Sequence, residues 1–189
     1  MNRNQDIAAA SPVSRPVVVS VLPATGHPVR IEADDNQRAA LAEAHGLVSV
    51  DEFIADLDAR RWRKDGVRIQ GTVKARIVQE CIVTLEPVEA ELDIEIDTVF
   101  VPEGSRLARP LDDDGALIVD AEGPDTPEIF EGGEIDVGAV AEEFFELAID
   151  PYPRKPGAEL GETADSGADE AETEAENPFA KLAGLRDKL

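Results

Sequence analysis

The densest reactive chemistry in the chain is basic. Seven of its 18 lysines and arginines, Arg60, Arg61, Arg63, Lys64, Arg68, Lys74 and Arg76, fall within 17 positions that hold one acid, Asp65. Guanidinium and ammonium groups at this density bind phosphate oxygens, and Trp62 among them offers a face on which a nucleobase can stack. The stripe also reads as one half of a charge ladder, because an alternating acidic segment, Glu89, Glu91, Asp93, Glu95 and Asp97, follows it. If 67–78 pairs antiparallel with 88–100, Arg76 comes near Glu89 and Glu91, Arg68 comes near Asp97, and the charges cancel. Arg60, Arg61, Trp62, Arg63 and Lys64 are expected at a turn outside that ladder, which makes them the candidate contacts for a partner or RNA. A second candidate surface lies at the end of the chain. Asn177-Pro178 reads as a helix cap, after which Phe179, Leu182, Leu185 and Leu189 share one face with Lys181, Arg186 and Lys188 beside it.

Patterns for catalysis and metal binding are missing from the sequence. Gly104-Ser105 lacks the second glycine of a nucleophile elbow, and neither His27 nor His45 stands in a motif suggesting a base. His45 reads as a surface residue in the last turn of a helix, where it suits the helix dipole. Asp112-Asp113-Asp114-Gly115 resembles a calcium loop only until the fifth ligand position, which is Ala116, and the closing glutamate is absent. One cysteine and two histidines are too few to close a zinc site, and Cys81 reads as a small buried residue at a strand end. The expectation is a non-enzyme with no cofactor, no metal and no small-molecule substrate.

Charge sets the frame for any binding. Against 18 basic residues stand 41 acidic ones, for a formal charge of −23 over 189 residues. A general phosphate-binding surface is excluded, so any RNA contact must be local. The length suits one domain with appendages. No stretch approaches the roughly 18 apolar residues of a membrane span, the start MNRNQDIAAASP lacks the apolar core of a secretory signal, and a lone cysteine forms no intrachain disulfide. These features predict a soluble protein of a reducing compartment, read as cytoplasmic.

The elements that must position these residues follow from periodicity. Residues 1–15 are expected to be a frayed, disordered end. Pro16 to Leu22 predicts a short buried strand, which Val29-Arg30-Ile31 extends or pairs with. A helix is predicted over 35–45, with Asp34 or Asp35 as cap and Gly46 as stop. Phe53, Ala55, Leu57 and Ala59 alternate with polar residues and predict a strand, and Asp65-Gly66 supplies the positive-φ step of the next turn. Val67, Ile69, Gly71, Val73, Ala75 and Ile77 then share one face, as do Val88, Ala90, Leu92, Ile94, Ile96 and Phe100 after a bend at 81–87. Residues 103–133 read as a long loop with short strands at 117–119 and 129–130. Asp136 caps a helix whose stripe is Val137, Val140, Ala141, Phe144, Leu147 and Ala148.

The expected fold is α+β: an antiparallel sheet, a meander either open or barrel-like, packed by two short helices. It occupies a single domain at 16–157. Residues 158–176 contain eight acids and no base, which predicts a disordered acidic linker, and 177–189 form a C-terminal amphipathic helix.

Three pieces carry a family likeness. The first is Arg61-Trp62-Arg63 running through Gly66 and Gly71 to Cys81-Ile82-Val83-Thr84-Leu85-Glu86-Pro87. The second is Ile135-Asp136-Val137-Gly138 with Glu142-Glu143, followed by Leu147-Ala148-Ile149-Asp150-Pro151-Tyr152-Pro153-Arg154. The third is Asn177-Pro178-Phe179-Ala180-Lys181-Leu182. Together they resemble the YceD-type large ribosomal RNA subunit accumulation protein family of bacteria and plastids, over roughly residues 50–189. The resemblance implies a non-enzymatic ribosome biogenesis factor needed for accumulation of the large-subunit (23S) rRNA. Many relatives carry Cys-x-x-Cys where this chain has Cys81 and Thr84, so metal binding is not carried over. Charge and family role together point to a basic ribosomal protein or a large-subunit rRNA precursor as partner. The competing expectation is an interaction adaptor unrelated to ribosomes that docks through its C-terminal helix.

Overall fold

A computed structural model describes residues 10–105, 107–108 and 126–158. The chain divides into two compact units, Met1–Pro156 and Gly157–Leu189. In the first, β1 (Pro16–Val18) leads through a 3-10 turn at Val19–Val21 to β2 (His27–Glu32) and α1 (Asp35–Ala44). Three long strands follow, β3 (Ser49–Trp62), β4 (Gly66–Glu80) and β5 (Pro87–Pro102). The unit ends with β6 (Glu128–Phe130), β7 (Glu134–Asp136) and α2 (Val137–Ala148). The five-stranded sheet has the order β2-β3-β4-β5-β6, and β1 pairs with β7 in a small second sheet. It is α+β: in the larger sheet β2 to β5 form an antiparallel meander, β6 joins it in parallel, and the sheet does not close into a barrel.

Period-2 alternation explains the sheet. Phe53, Ala55, Leu57 and Ala59 on β3 lie across from Ala75, Val73, Gly71 and Ile69 on β4, and Ala75, Val73 and Gly71 lie across from Leu92, Ile94 and Ile96 on β5. This inner face joins Leu41 of α1 and Val140, Ala141 and Phe145 of α2 in one core. Phe145 meets Phe53 edge-on, with ring centroids 5.4 Å apart. Each such buried aromatic or aliphatic side chain contributes about 1.5–3 kcal/mol. Gly71 holds φ +151°, and a Cβ there would overlap the Asp56 carbonyl oxygen, so β3 and β4 approach closely only with glycine at this point.

Both helices are capped as the sequence predicts. Asp34 accepts from the Gln37 amide at 2.9 Å while the Gln37 side chain accepts from the Asp34 amide at 3.1 Å, a reciprocal capping box. Asp136 does more than cap. One carboxylate oxygen accepts from the amides of Arg15, Gly138 and Ala139 at 2.7, 3.0 and 3.1 Å, and the other accepts from the Ser14 hydroxyl at 2.5 Å. Burial pushes this carboxyl up, but the four donors outweigh it and hold the group below its usual range. Gly138 lets the helix start press on the chain at Val13, whose carbonyl oxygen would overlap any Cβ there.

Several expectations need correction. Val13, within the stretch expected to fray, is fully buried, because Asp136 ties Ser14 and Arg15 to α2. Pro16–Val18 is a largely exposed edge, and β2 pairs with β3 instead of β1. The short strand expected at 129–130 is present as β6 and runs parallel to β5. On α2 the core aromatic is Phe145, while Leu147 is exposed, since the close approach at Gly138 sets the helix rotation. His45 is not a surface residue: its side chain is 9% exposed, its Nε2 lies 3.1 Å from a Glu142 carboxylate oxygen, and its ring packs edge-on to Phe145. The island at 117–119, the acidic segment and the C-terminal helix fall outside the described residues.

Candidate functional site

The basic island separates into parts with different jobs. Arg68 pairs with Asp97 at 2.5 Å, Lys74 with Asp93 at 3.9 Å, and Arg76 with Glu52 at 3.3 Å, all on the solvent face of the sheet. The acidic segment on β5 therefore neutralises Arg68 and Lys74, whereas Arg76, opposite Glu91 in the register, pairs instead with Glu52 of β3; such exposed pairs contribute little stability.

Arg60, Arg61 and Trp62 stay outside the β4–β5 ladder, but they belong to β3, opposite Arg68, Val67 and Gly66, and not to a turn as expected. The strands run three residues further than the alternation at 53–59 indicates. Arg61 turns back to donate to the carbonyls of Leu22 and Ser20 at 2.9 and 2.7 Å, fastening the chain after β1. The hairpin loop is Arg63 to Asp65, and its positive φ, 54°, falls on Arg63 rather than on the Asp-Gly step. Gly66 is needed for packing, because a Cβ there would lie 2.8 Å from the Trp62 ring and 2.9 Å from the Phe100 carbonyl oxygen. The Arg63 guanidinium sits 4.4 Å from the indole centroid, so one face of Trp62 is already covered. Arg63 and Lys64 are exposed at the tip, and no ion pair engages either among the described residues. Of the four cations among the five expected contacts, Arg61 is tied to backbone carbonyls, Arg60 is half-buried on β3 and helps to lower the Asp97 carboxyl, and Arg63 and Lys64 stand exposed at the tip.

A second surface escaped sequence reasoning. The loop 81–86 is a tight knuckle in which Cys81 donates its amide to the Glu86 carbonyl at 2.8 Å and the Leu85 amide donates to the Cys81 carbonyl at 2.9 Å. The segment after α2 lies against it. Gln79 donates to the Asp150 carbonyl at 2.9 Å, Ile82 to the Pro153 carbonyl at 3.0 Å, and the Lys155 ammonium reaches Glu86 at 2.7 Å. The Lys155 amide donates to Cys81 Sγ at 3.4 Å and, with the Thr84 hydroxyl, lowers the thiol to about 6 although burial opposes it. Ile82, Leu85 and Tyr152 remain exposed around this junction. The pairing was hidden because its halves lie some seventy residues apart, and only the proline-framed Tyr152 hinted at a fixed, exposed aromatic.

Phe179, Leu182, Leu185 and Leu189 lie outside the described residues. Among the described residues no group of three or more His, Cys, Asp or Glu is placed to hold a metal ion. No described helix is long and apolar enough to cross a membrane.

No curated protein and no solved structure matches the chain. A family profile matches residues 69–186, from near the start of β4 through the knuckle, α2 and the segment after it. The hairpin tip at 60–64 precedes the matched region, whereas the two chain pieces that meet at Cys81 lie within it. With more than half of its length matched, the chain belongs to the family described as Large ribosomal RNA subunit accumulation protein YceD.

Proposed function

We propose that this protein is a non-enzymatic factor in accumulation of the large-subunit rRNA, and that it acts by holding a basic ribosomal protein until that protein meets RNA. The family supports the first part. The observation that carries the second is the distribution of charge. The net charge is −23, and the solvent face of the sheet consumes its own cations in internal pairs while leaving Glu89, Glu91 and Glu95 on β5 exposed. A surface of this kind attracts a polycation and repels nucleic acid, which favours release once RNA competes for the cargo.

Sedimentation of tagged protein through a sucrose gradient, with mass spectrometry of the fractions, tests this reading. Co-migration with basic large-subunit proteins ahead of assembled particles is expected. Tagged protein that carries no ribosomal component overturns it and favours the adaptor.

A second reading rests on Arg63 and Lys64. Their exposed charge beside Trp62 supports direct contact with an rRNA precursor. Crosslinking in cells separates the two, since the second reading requires RNA attached at the hairpin tip.

A further inference from the structure

The chaperoning reading leaves open where a basic partner binds, and the sheet offers one place. β5 pairs with β6 only over Phe100–Pro102, and among the described residues no strand covers its edge from Pro87 to Val99. Along such an edge every second residue directs its N–H and C=O away from the sheet, ready to pair with another strand.

The side chains state what that strand must look like. Toward solvent the edge presents Glu89, Glu91, Asp93 and Glu95. Toward the core it presents Val88, Ala90, Leu92 and Ile94, which are only partly buried, and the last three pack at the margin of the hydrophobic core. An added strand would place alternate residues over these two rows. A second copy of the same edge would bring acid against acid. The register pairs Glu89 with Val78 and Glu95 with Thr72, so neither has a cross-strand cation.

We infer that the open β5 edge is a β-strand acceptor for an extended protein segment in which lysine or arginine alternates with apolar residues. The cation row pairs with Glu89, Glu91 and Glu95, the apolar row completes the cover over Ala90, Leu92 and Ile94, and main-chain hydrogen bonds supply the rest. This rests on the proposed binding of a basic ribosomal protein and locates it.

The test uses the full chain and a labelled ten-residue peptide of alternating lysine and valine, with an equally charged peptide interrupted by proline as control. Fluorescence anisotropy should show binding of the first peptide, and hydrogen exchange should show slowing at alternate amides within 88–98. The double variant Glu89→Lys with Glu95→Lys should keep the thermal melt and weaken binding on the order of tenfold or more. Equal binding of both peptides without amide protection means charge attraction alone and overturns the inference, as does absence of binding. Edge amides already protected in the free chain mean that a segment of the chain itself covers the edge, which also overturns it. Should the peptide bind as described while the gradient shows no ribosomal protein, the acceptor stands and the ribosomal reading falls.

Discussion

Asp136 shows how one side chain can hold a fold together. It caps α2 and, with the same carboxylate, anchors Ser14 and Arg15, so the N-terminal segment is pinned to the helix start. Asp136→Ala should cost about 2 kcal/mol at neutral pH, the upper range for a lost cap, read from the denaturant midpoint. The sign with pH follows from the lowered carboxyl. Its contribution is present above the usual value of 3.8 and is lost as pH falls below that, so wild type and variant should converge in acid. A gap that stays constant to low pH would mean the carboxylate's charge is irrelevant. Cys81 carries a second pH signature. Its thiol ionises at about 6 against 9.0 in an ordinary environment, so between these values the unfolded chain binds more protons and stability rises with pH. The advantage of wild type over Cys81→Ala should widen from pH 6 to pH 9, and parallel stability curves would refute it. Sequence reasoning found the cap of α2 because Asp before an apolar run is a local signal. It missed the role of His45, because the contact with Glu142 and Phe145 depends on how two helices meet across the sheet.

At the scale of elements, the long hairpin divides labour along its length. The middle of β3 and β4 was legible, since alternation from Phe53 to Ala59 and from Val67 to Ile77 names the buried face directly. The tip was not, because polar strand residues have no period to read, and nothing in the local sequence distinguishes Arg61, bonded to the Leu22 and Ser20 carbonyls, from the arginines beside it. This yields a split prediction. Arg61→Ala loses two charge-assisted hydrogen bonds in a partly exposed setting and should lower stability by about 1 kcal/mol. Arg63→Ala with Lys64→Ala touches no described ion pair and should leave stability within about 0.5 kcal/mol. If the double variant binds rRNA and basic proteins as wild type does, the tip has no part in function. If Arg61→Ala leaves the melt unchanged, its bonds to Ser20 and Leu22 do not fasten that segment.

For the whole molecule the question is what the chain beyond the domain contributes. Among the described residues the core runs from Val13 to Phe145, and the chain divides at Gly157. The acidic composition of 158–176 and the cap and stripe of 177–189 are features of sequence, and they motivate a tethered docking face formed by Phe179, Leu182, Leu185 and Leu189. Ending the chain at residue 176 should therefore leave the thermal midpoint unchanged and reduce association with the partner. A loss of several kcal/mol would instead assign those leucines to the core. Salt adds an independent arm. Binding of a polycation to a surface of charge −23 must weaken as ionic strength screens it, with a Debye length of about 10 Å at 0.1 M, whereas docking through four apolar side chains should not. The full chain should thus show a salt-sensitive component that survives truncation and a salt-insensitive one that disappears with the tail. Association that is salt-insensitive in both chains would remove charge from the account of how this protein holds its partner.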